Sequence, residues 1–194
     1  MSNREKDFFY NLAKKKGVNA RSYFKLEQIQ AKYKIFKPRQ AVFDIGCAPG
    51  SWLQYVHEIV GLEGSLVGVD LAPMELSFPN LVFYQQDIFN VDVESFLSKH
   101  GEVDVVISDV APKTTGQKVV DIENSFQLCR KSLSLCKDLL QYKGSFVCKM
   151  YQGDRFDEFH AMMKEMFQEV RIYRPKATRK MSREVFWIGK EKRK

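Results

Sequence analysis

The chain has 194 residues, of which 44% are hydrophobic and 13% are aromatic. This size and composition are typical of one globular domain with a substantial core, and they exclude a disordered chain. No apolar run approaches the roughly 18 residues of a membrane-spanning helix, and the polar N-terminus lacks a signal-peptide core, so we expect a cytoplasmic protein with no membrane contact.

The formal net charge of +7 is unevenly distributed. Residues 1–39 carry 11 Lys or Arg against 3 acids, and residues 171–194 carry 10 against 2, whereas residues 40–170 carry 10 against 19. Two basic ends around an acidic middle predict that the ends contact a polyanion and that the middle holds an acid-lined ligand pocket. The alternative for the extreme termini is that they are solvated basic tails.

Helices and strands are predicted to alternate along the chain. A basic N-terminal arm over residues 1–20 precedes a single domain over residues 21–194, which opens with a helix from Arg21 to Ile35. Asp121 is expected to cap the longest helix. Strands are predicted at 41–45, 65–70, 81–87, 103–110, 144–151, 170–173 and 185–188, and further helices at 51–60, 91–99, 121–140 and 154–167.

This order predicts an α/β fold with a Rossmann-like, mostly parallel sheet and helices on both faces. The last two predicted strands have no helix between them, so they are expected to pair as an antiparallel hairpin at the C-terminal edge of the sheet.

The stretch from Ala41 to Gln54 reads as a buried strand, a glycine turn and the start of a helix. Such a turn lets the backbone of Gly46 and Gly50 approach a ligand, and the following helix start adds unpaired N–H groups. The spacing is not G-x-G-x-x-G, so a dinucleotide is not indicated.

Three carboxylates follow successive predicted strands, and all are expected at the ligand-binding edge of the sheet. Asp70 lies where a carboxylate can accept hydrogen bonds from both ribose hydroxyls; Asp87 could accept one from a purine amine, and Asp109 follows the fourth strand. An acid-lined pocket suits a cationic sulfonium better than a pyrophosphate. The pattern therefore favours S-adenosylmethionine over NAD as the cofactor.

One lysine is out of place in the sequence pattern. Lys149 lies inside an apolar strand, where it costs desolvation unless it is paired or faces a cleft, so we predict a functional role for it. By position alone, Lys25 is interpreted as a surface lysine and Glu184 as part of a strand-end salt bridge. The cysteines and histidines lack metal-ligand spacing, so buried structural thiols and no metal site are expected.

The motifs D-I-G-C-A-P-G-S-W-L-Q-Y-V, V-D-L-A-P-M, Q-Q-D-I-F, I-S-D-V-A-P, G-S-F-V-C-K-M-Y-Q-G and S-R-E-V-F occur in this order. Together with R-S-Y-F-K-L-E-Q-I-Q upstream, they resemble the FtsJ/RrmJ family of RNA ribose 2′-O-methyltransferases over roughly residues 20 to 190. The compact length is similar to that of the bacterial ribosomal RNA enzymes in this family.

The resemblance implies S-adenosylmethionine as methyl donor, S-adenosylhomocysteine as product and a uridine of large-subunit (23S) ribosomal RNA as target. It implies cofactor contacts for Gly50, Trp52, Asp70, Asp87 and Asp109, in addition to the Gly46 turn. It also implies a Lys-Asp-Lys-Glu catalytic tetrad, with Lys149 steering or deprotonating the ribose hydroxyl. The tetrad positions are Lys25, Asp109, Lys149 and Glu184.

Whether Lys149 is charged is left open by the sequence, because burial and Lys25 lower its pKa while Asp109 and Glu184 raise it. RNA is expected to contact basic residues in both ends of the chain, and a monomer is expected. Alternatives are a tRNA 2′-O-methyltransferase, a non-catalytic cofactor- and RNA-binding ribosome-assembly factor, and a small-molecule methyltransferase. The predicted RNA contacts are Lys14, Lys15, Lys16, Arg21, Arg174, Arg179, Lys180 and Arg183.

Overall fold

The computed structural model describes residues 22–194, so the predicted basic arm over residues 1–20, with Lys14, Lys15 and Lys16, and also Arg21, lie outside the described residues. The helices are α1 (Ser22–Tyr33), α2 (Ser51–Val60), α3 (Val93–His100), α4 (Lys118–Leu139) and α5 (Phe156–Met166). The strands are β1 (Ala41–Ile45), β2 (Ser65–Asp70), β3 (Leu81–Gln85), β4 (Val103–Ser108), β5 (Leu140–Tyr151), β6 (Phe167–Tyr173) and β7 (Glu184–Lys192).

The strands form one sheet of seven in the order β3-β2-β1-β4-β5-β7-β6. Strands β1 to β5 run parallel to one another, and β7 pairs antiparallel with both β5 and β6. The predicted parallel sheet with a C-terminal antiparallel hairpin is confirmed. The hairpin is inserted so that β7 lies inside the sheet and β6 forms its edge, and this insertion brings the start of β7 beside the end of β5.

Side chains that alternate along each strand divide the core into two layers. One layer holds Phe43, Val106 and Phe146 and is covered by α3, α4 and α5. The other holds Val42 and Val147 and is covered by α1 and α2. Helices on both faces of the sheet are therefore confirmed, and the two-residue period decides which layer each strand residue enters.

Several predicted boundaries were wrong in detail. Strand β5 begins at Leu140 rather than at 144, because α4 runs directly into it. Asp121 does not cap α4; it lies in the first turn, where its Oδ1 accepts hydrogen bonds from the N–H and the hydroxyl of Thr115, at 2.7 and 2.9 Å. Strand β3 ends at Gln85, and Asp87 instead caps a short 3-10 helix, Ile88–Asn90.

The four cysteines are buried free thiols, as predicted. Within residues 22–194, no cluster of His, Cys, Asp or Glu side chains has the composition to hold a metal ion. The same residues contain no helix that is both long and apolar enough to span a membrane.

Candidate active site

The carboxyl edge of the sheet gathers most of the predicted site residues on a single face. Asp44 lies two residues after Val42, and Lys149 lies two residues after Val147, so both side chains continue the layer that α1 and α2 cover. Asp70 lies two residues beyond Gly68 on β2 and follows the same alternation. At the carboxyl edge of the sheet, where α1 and α2 no longer cover it, this face therefore carries charged side chains instead of apolar ones.

The turn after β1 requires glycine for conformation and for space. Gly46 has φ +76° and Gly50 has φ +102°, a region that favours glycine. A Cβ on Gly46 would lie 2.7 Å from the Cα of Val110, and a Cβ on Gly50 would lie 2.6 Å from Cδ2 of Leu76. The turn is therefore clamped between the end of β4 and the β2–β3 loop.

Asp70 supports this turn from the next strand. Its Oδ2 accepts a hydrogen bond from the N–H of Ala48 at 2.9 Å, and its Oδ1 accepts one from Ala72 at 2.8 Å. Oδ1 of Asp87 accepts from the N–H of Phe89 at 3.0 Å. Each of these oxygens has a second lone pair, so both carboxylates can hold their loops and still accept from a ligand.

Trp52 is buried at the start of α2. Its indole N–H donates to the carbonyl of Ser22 at 3.0 Å, and its ring packs against Phe186 with the centroids 5.8 Å apart. Trp52 thus ties α1 to the glycine turn. Together with Gly46 and Asp109, it lines a small cleft at the end of the sheet.

Asp44 lines the same cleft and was not identified as a site residue from the sequence. Its side chain is fully buried, and neither carboxylate oxygen has a hydrogen-bond partner among residues 22–194. Burial, followed by the nearby charges of Asp109 and Asp70, raises the pKa of Asp44 well above its ordinary value. An acid inside the apolar run Ala41–Ile45 was the available signal.

Asp109 and Lys149 form the inner ion pair of the site. Nζ of Lys149 lies 2.9 Å from Oδ1 of Asp109 and donates a hydrogen bond to the Asp109 backbone carbonyl at 2.5 Å. Lys149 is 5% exposed. The expectation of a buried lysine that is paired at a cleft matches this geometry.

The net pKa of Lys149 is raised above the ordinary lysine value. Burial is the largest single influence and disfavours the ammonium form, but the Asp109 carboxylate, its hydrogen bond and, more weakly, Glu184 together outweigh it. The sequence left open whether burial or the nearby carboxylates dominate the pKa of Lys149, and in the structure the carboxylates dominate. Lys149 is an ammonium at neutral pH in this state.

Lys25 and Glu184 form the outer ion pair. Nζ of Lys25 on α1 lies 2.7 Å from Oε2 of Glu184 at the start of β7, and it also lies 5.7 Å from the ring centroid of Phe186. The interpretation of Lys25 as a surface lysine was wrong, because this residue is only 9% exposed. Glu184 pairs with Tyr151 across the β5–β7 ladder, so the outer pair lies two positions along β5 from Lys149.

The predicted RNA contacts that the structure describes lie in the segment from Arg174 to Arg183, which we call the hairpin loop because it joins β6 to β7. Arg174, Arg179, Lys180 and Arg183 are exposed. Arg179 also lines a groove with Lys25 and Glu184. The loop therefore places basic residues along the approach to the outer pair.

Two exposed apolar side chains near the acids were also missed. Leu71, directly after Asp70, is 66% exposed, and Phe89, two residues after Asp87, is 53% exposed. The sequence places an apolar residue just beyond each of these acids, but single exposed apolar side chains are common on protein surfaces, so this pattern gave no distinct signal.

The FtsJ-like methyltransferase family matches residues 18–192 of the chain. A protein of Bdellovibrio bacteriovorus named ribosomal RNA large subunit methyltransferase E is 40% identical, and the match covers 100% of both chains. One of the same name from Desulfatibacillum aliphaticivorans is 46% identical over 97% of this chain and 91% of its own. The crystal structure of a Plasmodium falciparum protein classed as a ribosomal RNA methyltransferase superposes with TM-score 0.77 and 28% identity, covering 89% of this chain and 97% of the other.

Proposed function

The chain belongs to the FtsJ-like methyltransferase family, and on this premise we propose that it transfers a methyl group from S-adenosylmethionine to a ribose 2′-hydroxyl of RNA. The substrate we propose is a uridine of large-subunit ribosomal RNA, for which the similar proteins are named. The observation that carries the proposal is the pairing of Lys149 with Asp109 and of Lys25 with Glu184 beside the glycine turn.

The residues at the cleft fit the proposed cofactor. Asp44 offers a buried carboxyl group that lacks a hydrogen-bond partner among residues 22–194, and a cationic ligand would favour its charged form and offset the nearby charge of Asp70. The second lone pairs of Asp70 and Asp87 suit hydroxyl and amine donors. Leu71 and Phe89 offer apolar surface for the flat faces of a purine.

S-adenosylmethionine supplies an electrophilic methyl group on a sulfonium, so the protein has to place the ribose oxygen in line with it and remove one proton. Alignment to about 3 Å provides most of the rate enhancement. Lys149 is paired with Asp109, which lines the cleft. In this proposal its Nζ holds the 2′-oxygen while Asp109 fixes the amine.

Proton removal by Lys149 requires the neutral amine, which is the minor form because its pKa is raised. We propose that the charged form first positions the hydroxyl and then releases its own proton to solvent, and that the resulting neutral amine accepts the hydroxyl proton late in the displacement. Arginine cannot replace it in this second role, because a guanidinium does not give up its proton in proteins.

The test is transfer of labelled methyl from S-adenosylmethionine to purified large ribosomal subunits, to naked large-subunit RNA and to bulk tRNA, with wild type beside Lys149→Ala. We expect label in large-subunit RNA that makes one linkage alkali-resistant and that is absent with the variant. Label in tRNA alone would overturn the proposed substrate and retain the chemistry. Cofactor binding without label in any RNA would replace the proposal with a non-catalytic assembly factor.

A further inference from the structure

The hairpin loop is held together from inside by Arg174. Its Nη2 donates to the backbone carbonyls of Arg179, Lys180 and Ser182, at 3.1, 3.0 and 2.6 Å. The N–H of Ser182 also donates to the Arg179 carbonyl at 2.9 Å. The arginine predicted to bind RNA is thus engaged with three carbonyls of its own loop, and the loop tip has a defined backbone.

The same loop is docked on the two elements that carry the tetrad lysines. Ala177 is buried against Tyr23 and Phe24 of α1. At the other end, the carbonyl of Arg183 accepts a hydrogen bond from the N–H of Gln152 at 3.0 Å, directly beyond β5. The loop tip is therefore fixed in position relative to Lys25 and Lys149.

Met181 lies at this tip and is 95% exposed, the highest value among the large exposed hydrophobic residues of the described chain. A single exposed apolar side chain is ordinary on a protein surface. Met181 differs because it lines the groove that also contains Lys25, Glu184 and Arg179. It is an apolar side chain on an ordered backbone, at the entrance to a charged active site.

We propose that Met181 is a wedge that inserts beside the target nucleotide of the RNA and takes the place of its stacked neighbour. This inference rests on the proposed function and adds a positioning residue to it. A ribose in a stacked, paired strand has to be displaced to reach a cleft at the end of a sheet, and proteins that unstack nucleic acid insert apolar side chains such as Met.

The physical properties of the side chain and its loop support this role. The methionine thioether is flexible and polarisable, so it adapts to the faces of different bases and contacts their rings favourably. The basic residues around it attract the flanking phosphates. Because Arg174 orders the loop before RNA arrives, less conformational entropy is lost on binding.

The test compares two RNAs with the same target: large-subunit RNA folded in magnesium, and a short single-stranded oligoribonucleotide spanning the methylated linkage. Met181→Ala should lower kcat/KM about tenfold on the folded RNA and less than about twofold on the single strand, because only the folded RNA must be unstacked. Met181→Leu should retain most activity on both RNAs. Leu62→Ala is the matched control, since Leu62 is 67% exposed in the turn between α2 and β2.

Equal losses on both RNAs, or no loss on either, would overturn the wedge. Full activity of Met181→Lys on folded RNA would also overturn it, because the role would then be electrostatic.

A second readout is the fluorescence of 2-aminopurine placed next to the target in a hairpin RNA, which should rise on binding wild type but not Met181→Ala. If wild type labels no RNA, the proposed function fails, and the wedge with it; if wild type labels RNA and the variants match it, only the wedge fails.

Discussion

The inner and outer ion pairs contain the same chemical groups, but different parts of the fold position them. Asp109 and Lys149 follow or lie within neighbouring parallel strands, so the register of the sheet sets their separation. Lys25 comes from a helix and Glu184 from the inserted strand β7, 159 residues away in sequence. The outer pair therefore depends on the docking of α1 and the hairpin loop, whereas the inner pair depends only on the sheet.

The two pairs also differ in how their lysines are held. Lys149 has a second acceptor in the Asp109 carbonyl, and its side chain is 6% exposed against 11% for Lys25; the two carboxylates are equally exposed at 19%. This difference suggests a division of labour. We propose that the inner pair transfers a proton at a fixed point and that the outer pair contacts the substrate at the entrance.

The largest effect is expected from the inner lysine. Lys149→Ala should lower the single-turnover rate of methyl transfer about 10³-fold, because both the positioning group and the proton acceptor are lost. Lys149→Arg should remain below about 1% of wild type, since the guanidinium stays charged. Lys143→Ala, at an exposed lysine on the same strand, is the control and should keep wild-type activity. A variant Lys149→Arg as fast as wild type would rule out the proton-acceptor role.

Replacing each carboxylate by its isosteric amide tests the difference in burial between the two lysines, Lys149 and Lys25. Asp109→Asn should lower the free energy of unfolding by about 3 kcal/mol, because the Lys149 ammonium is left buried without its counter-charge. Glu184→Gln should cost about 1.5 kcal/mol, because the Lys25 side chain is 11% exposed against 6% for Lys149 and so keeps more contact with water. Urea denaturation measures both. Equal losses would contradict the distinction between the two pairs.

The strands and the helix nearest the cleft were the easiest elements to predict. β1, α2 and β2 have the predicted bounds because Pro38, Gly50 and Gly64 punctuate short, strongly apolar segments. The start of β5 was missed because α4 enters it with no Gly or Pro between them. The position of β7 between β5 and β6 was also not predicted, because hairpin periodicity does not say which strand of a hairpin joins the sheet.

The residues of the candidate site also differ in how far the sequence could place them. Asp70, Asp109 and Lys149 could be placed from strand ends and strand periodicity alone. Lys25 could not be placed in this way, because its partner Glu184 is distant in sequence. Only the family resemblance connected Lys25 with Glu184. Asp44 was overlooked for another reason: burial in a cleft without a partner is a property of the assembled fold.

The pH dependence of methyl transfer tests whether the inner pair moves a proton. The pKa of Lys149 is raised above the ordinary lysine value, so between pH 7 and 9 its neutral fraction is small and grows with pH. If the neutral amine is the base, the single-turnover rate should rise close to tenfold per pH unit over this range, without a plateau. A rate that is flat from pH 7 to 9 would leave Lys149 a positioning role alone.

The smallest effect on chemistry is expected around the outer pair. Replacing Arg179, Lys180 and Arg183 by Gln should weaken RNA binding severalfold near physiological salt. The slope of log affinity against log salt concentration should become shallower by about 2, because up to three phosphate contacts are lost. Cofactor affinity and the single-turnover rate at saturating RNA should stay within about twofold of wild type, since the loop backbone is held by Arg174.

The matched control is a second triple variant, Lys37→Gln, Lys143→Gln and Lys164→Gln, which removes the same charge at exposed positions outside the hairpin loop. It should leave the salt dependence close to that of wild type, because net charge alone does not form a phosphate contact. If both triple variants behave alike, the loop attracts RNA only through the overall charge of the protein. If the loop variant instead loses cofactor affinity, the outer pair and the cleft are coupled, and the division between an inner chemical pair and an outer substrate-facing pair no longer holds.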